Sequence, residues 1–177
     1  MTEPAASNET PFWQFSLHFY RQAGVAEACI ALQDECGVDV NLLLFLLWLA
    51  AGRRQLSAAN VKELDAAVRD WRQLTIVPIR DVRRKLKGAA TLVEANKQES
   101  FRTTIKAVEL EAERLQQEAL YSRSRSAPLG SEAAPEAAAR TNLAAYEQVL
   151  AVRFPKAALG RLVSAFDGVK FDEFVAR

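Results

Sequence analysis

Residues 42–51 read Leu-Leu-Leu-Phe-Leu-Leu-Trp-Leu-Ala-Ala, set between Asn41 and Gly52. A helix that is apolar on every face has no side to offer water, so other protein or lipid must enclose it. A bilayer span needs about 20 such residues, roughly twice what is present, and the run is therefore expected to be a central helix wrapped by others. Composition supports that reading. With 7 Gly and 6 Pro in 177 residues, the chain has too little turn punctuation for an all-β fold, while its Ala, Leu, Glu and Arg favour helices. The expected fold class is all-α, a compact bundle of about six or seven helices around this short apolar one.

Upstream, Gly37 stands where a helix needs a C-terminal cap, and Val25, Ala28, Cys29, Leu32 and Cys36 before it repeat at helical spacing. Earlier still, Thr10 is placed as an N-cap and Pro11 at the first helical position. Phe12, Trp13, Phe15, Phe19 and Tyr20 come next, more rings than one narrow stripe holds, so this helix either packs on two sides or presents rings to a partner. Residues 1–9 have no apolar period and are expected to be a disordered lead.

Downstream, Ser57 is placed to cap a helix whose inward stripe is Val61, Leu64, Ala67, Val68 and Trp71, with Leu56 and Val61 as a staple. The next helix spans 75–86, tolerates Pro78 in its first turn, and is expected to turn Ile79, Val82 and Leu86 inward. Apolar residues at 101, 105, 108, 112, 115 and 119 trace a heptad seam, too short for a dimeric coiled coil and expected to pack on its own domain. This gives a helical domain over 10–120. Residues 121–136, rich in Ser, Pro, Gly and Ala, are expected to be a flexible linker, and 137–177 a C-terminal helical pair packing on or beside the domain.

The run CIALQDECGVDVNLLLFLLWLAAG, preceded by FWQFSLHFYRQAGV, resembles the defining stretch of a proteobacterial family of conserved hypothetical proteins carried as a domain of unknown function. The resemblance covers about residues 10–120 and rests on Phe12-Trp13, Leu32-Gln33-Asp34, the run Asp39 to Leu44, and Ile79-Arg80. It implies a bacterial, cytoplasmic protein, but no activity and no catalytic residue.

Chemistry is narrowed by inventory. The 23 basic and 22 acidic residues nearly cancel, so any electrostatic recognition must be local. Cys29 and Cys36 on one helix lie ~10.5 Å apart along its axis, too far for a disulfide. One histidine, His18, and two cysteines do not make a zinc site, and phosphate loops and serine elbows are absent, so no catalytic, metal or cofactor residue is assigned. The N-terminus lacks the basic and apolar regions of an export signal, and the expected compartment is the cytoplasm.

Two constellations remain. Asp34, Asp39 and Asn41 surround the Gly37 turn, where they either cap helix ends or form a small polar pocket at the end of the core. Arg80, Arg83, Arg84 and Lys87 share one helical face, compensated by bulk water and ions, by acidic residues of the domain such as Glu109, Glu111 and Glu113, or by an acidic partner. The leading expectation is a non-enzymatic interaction or adaptor protein docking an acidic protein, or RNA or an anionic headgroup, on that basic face. The alternative is a small helical enzyme or carrier for a hydrophobic ligand with a polar head, its pocket lined by Phe15, Phe19, Phe45, Trp48 and Trp71 beside Asp34, Asp39 and Asn41. A cavity above ~300 Å³ with convergent polar groups favours the second.

Overall fold

A computed structural model describes residues 10–88 and 92–169. The expectations for residues 1–9, and for Phe171, Phe174 and Val175, lie outside these. The helices are α1 (Pro11–Tyr20), α2 (Val25–Cys36), α3 (Val40–Ala51), α4 (Ala58–Trp71), α5 (Val77–Lys85), α6 (Ala95–Ser126), α7 (Pro135–Leu150) and α8 (Lys156–Asp167). A π-helical turn at Arg72–Ile76 joins α4 to α5 without a break, so the described residues form seven rods in an all-α bundle. No helix among them is long and apolar enough to cross a membrane.

Local chemistry starts and stops these elements. The Thr10 hydroxyl accepts from Trp13 N–H with Pro11 at the first position. Gly37, at φ 69°, closes α2 in the left-handed conformation that glycine adopts without strain. The Asp39 carboxylate caps α3 by accepting from the N–H groups of Asn41 and Leu42. Ser57 and Asn60 form a capping box at α4.

Helix α3 is the centre, with Leu42 to Leu47 all buried among α1, α6 and α7. Helix α8 packs on α2, and α7 crosses both α3 and α4, so Leu143, Tyr146, Leu162 and Phe166 share one core with the first three helices.

Residues 121–136 differ from the linker expected of them. Helix α6 continues to Ser126, and a two-residue antiparallel bridge pairs β1 (Arg54–Gln55) with β2 (Ser131–Glu132). Ser and Arg in the last turns of α6 mimic linker composition. The Arg54 guanidinium, donating to the carbonyls of Leu129 and Gly130 at 2.6 and 2.7 Å, holds the segment to the domain. Asn142 on α7 ties the same region together: its oxygen accepts from Leu56 N–H and its amide donates to the carbonyls of Leu46 and Arg54.

The inward faces of α5 and α6 also differ from expectation. Helix α5 buries no residue fully; Val82 is exposed, and Arg80 and Arg83 face α6 instead. On α6 the heptad positions Phe101, Val108 and Leu115 are exposed, and the buried residues are Glu109, Ala112, Gln116, Gln117 and Leu120. Ala67 of the expected α4 stripe is exposed as well.

Candidate functional site: an amphipathic cavity

Phe12, Phe15 and Phe19 form one face of α1 and lie fully in the core. The neighbouring face, Trp13, Ser16, Leu17 and Tyr20, lines a cavity of about 550 Å³. Its other walls are Ile30 and Gln33 of α2, Val40, Asn41 and Leu44 of α3, the arginines of α5, and Lys106, Glu109, Leu110, Glu113 and Gln117 of α6. Tyr20, Ile30 and Leu110 leave more than a third of their surface exposed, which places apolar side chains at an opening.

One wall is an ion-pair cluster. Arg80 donates through Nε to Glu109 at 2.8 Å and through Nη2 to Glu113 at 2.6 Å, and Arg83 bonds Glu109 with both Nε and Nη2. Burial pushes the Glu109 carboxyl up, but the bonds from Arg83 and Arg80 outweigh it and hold it below the usual carboxylate range. For Glu113, burial wins over the single Arg80 bond and the carboxyl is raised.

The deeper end is polar and uncharged. Gln117 Nε2 donates to Asn41 Oδ1 at 2.8 Å, both side chains buried. Gln117 Oε1 and Ser16 Oγ are closed to water and have no hydrogen-bond partner among the described residues.

The expected site residues are therefore redistributed. Phe15, Phe19 and Phe45 are core residues with no exposed surface, and Trp48 stacks on Phe45 with ring centroids 5.7 Å apart, so none of them lines this cavity. Trp71, the last residue of α4, is partly exposed rather than inward and packs against α6, donating through Nε1 to the Ala112 carbonyl at 3.0 Å. Asn41 does line the cavity; Asp34 and Asp39 line a separate cleft of about 470 Å³ with Arg72, Arg80 and Arg84. Asp39 is the α3 cap and also accepts from Arg72 Nη1 at 2.9 Å and Gln116 Nε2 at 2.7 Å. Asp34 pairs with Arg84 at 2.8 Å, a bond that keeps its carboxyl below the usual range. Three of the four cations expected to form a docking face, Arg80, Arg83 and Arg84, thus have acidic partners in the domain, while Lys87 is exposed. Cys29 is buried, which pushes its thiol up to about 12 and keeps it protonated rather than nucleophilic. The signal for the true lining was Trp13, Leu17 and Tyr20 at i, i+4 and i+7, a second stripe beside the phenylalanines.

A family model described as protein of unknown function (DUF2390) matches residues 11–120. The chain belongs to this family. Every residue lining the 550 Å³ cavity falls within the DUF2390 span, whereas α7 and α8, which complete the core, lie beyond it. No curated protein and no solved structure matches the chain.

Proposed function

We propose that this protein binds a small hydrophobic ligand with a polar head. The observation that carries the reading is the cavity of about 550 Å³, within the ~300–1,000 Å³ of small-molecule sites, which pair apolar walls with a few convergent polar groups. Trp13, Leu17, Val40 and Leu44 supply apolar wall, and Ser16, Asn41 and Gln117 supply the polar end. Docking of an acidic partner on the basic face, the leading expectation from the sequence, has less support, because such a partner would compete with Glu109, Glu113 and Asp34 for arginines already bonded to them.

Displacement of the fluorescent amphiphile N-phenyl-1-naphthylamine tests the reading. Saturable binding to the wild type is expected, and at least a tenfold loss in Leu110→Asp, which puts a charge on the apolar wall at an exposed position that leaves the fold intact. Absence of saturable binding, or equal binding by the variant, overturns it.

A further inference from the structure

The charges around the cavity are unequal in number. Five cations line it, Arg21, Arg80, Arg83, Arg84 and Lys106, against two carboxylates, Glu109 and Glu113. Three of the cations are committed within the domain: Arg80 and Arg83 are bonded to Glu109 and Glu113, and Arg84 reaches outside the lining to Asp34. Arg21 and Lys106 form no ion pair and donate no side-chain hydrogen bond among the described residues. Counting Asp34 with the two glutamates, five cations meet three acids, and an excess of two positive charges remains. Glu27, the other carboxylate whose charge reaches Tyr20 at the opening, does not line the cavity.

Both uncommitted cations stand beside apolar wall. Arg21 directly follows Tyr20 as the C-cap of α1, at the end of the stripe Trp13, Leu17 and Tyr20, and Lys106 lies one turn before Leu110 on the same face of α6. The two cations are solvent-exposed, as Tyr20 and Leu110 are, so they mark the opening. Long basic side chains lay their methylene stems along apolar surface and keep their charged ends in water. An ammonium head entering here is repelled by the excess charge, and an uncharged head gains nothing from it. A carboxylate is attracted, and its two oxygens match the planar fork of the Arg21 guanidinium. Asn41 and Gln117 at the deeper end are uncharged and place no sign on the ligand.

Resting on the ligand-binding reading above, we infer that the ligand is an anionic amphiphile, a single-chain carboxylate, with its tail on the apolar wall and its head held at the opening by Arg21 and Lys106. The contact is exposed, so its strength falls as salt rises, with screening beyond ~10 Å at 0.1 M ionic strength.

Three ligands of one chain length, octanoate, octanamide and octylammonium, are competed against N-phenyl-1-naphthylamine at pH 7 and low salt. Octanoate is expected to bind several-fold tighter than octanamide and at least about tenfold tighter than octylammonium, the latter a difference of ~1.4 kcal/mol. Both advantages should shrink at high salt. In the double variant Arg21→Gln, Lys106→Gln, changed only at exposed positions, octanoate should fall to the level of octanamide while octanamide and the probe bind as they do to the wild type. An octanoate advantage undiminished in that variant overturns the role of Arg21 and Lys106, and octanamide or octylammonium binding as tightly as octanoate overturns the anionic head; either result leaves the ligand reading standing. Saturable probe binding that none of the three displaces also overturns the head assignment alone, whereas a probe that does not bind overturns the ligand reading and the head with it.

Discussion

The phenolic oxygen of Tyr146 accepts a 3.0 Å hydrogen bond from the backbone N–H of Asp39, linking α7 to the residue that caps the central helix. Both groups are buried, so Tyr146→Phe leaves a donor without a partner. We expect a loss of about 1–3 kcal/mol in urea unfolding with an unchanged helical spectrum. An unaltered midpoint would mean that water reaches this N–H.

The family match stops at residue 120, but the core does not. Leu143, Tyr146, Leu162 and Phe166 come from α7 and α8 and pack with Leu42, Phe45 and Leu47. A fragment of residues 10–126 should therefore lack a cooperative thermal transition and bind hydrophobic dyes. A sharp calorimetric peak from that fragment would show the first six helices to be self-sufficient.

Glu109 gives a pH dependence with a definite sign. Its carboxyl is held below the usual range, so its ionised form stabilises the fold at neutral pH, and that contribution disappears as pH falls through the depressed value. Glu109→Gln should cost about 1–3 kcal/mol at pH 7, and its deficit relative to wild type should shrink below about pH 4. Denaturation at pH 7 and pH 3.5 decides this; equal deficits would assign the loss to packing.

Two left-handed glycines should respond differently to a methyl group. At Gly37, φ 69°, an added Cβ meets nothing within 4 Å, so Gly37→Ala carries only the conformational cost of about 1–2 kcal/mol. At Gly130, φ 65°, the same atom lies 2.1 Å from the Gln55 carbonyl oxygen, and the bridge must move. Gly130→Ala is expected to be clearly the worse of the two by melting temperature. Equal losses would argue that the β1–β2 bridge is not formed in solution.

The elements most legible in the sequence were those written in local chemistry. Thr10-Pro11, Gly37, Asp39 and Ser57 each act within three or four residues, and the 42–51 run declares its burial by lacking a polar face. The phase of α5 was not legible. Its own apolar stripe, Ile79, Val82 and Leu86, points to an inward face, yet Arg80 and Arg83 are the residues turned to α6, because Glu109 and Glu113 that bind them lie on another helix and follow no local period. Helix α6 misled for another reason. Apolar periodicity marks its exposed seam at Phe101, Val108 and Leu115, while the buried face is made of Glu109, Gln116 and Gln117, whose partners come from other helices. Asn41 was singled out beside the Gly37 turn, but its partner Gln117 lies 76 residues away and nothing local announces it.

The polar seating of α6 bears on how the molecule opens. Most of the bundle meets over apolar surface, whose separation water opposes, but α6 meets α3 and α5 largely through amides and ion pairs that water replaces bond for bond. Only its C-terminal part is anchored in the shared core, by Leu120 with Tyr121 beside it. In amide hydrogen exchange, the first four turns of α6 should lose protection well before α3 and α7, through local fraying rather than global unfolding.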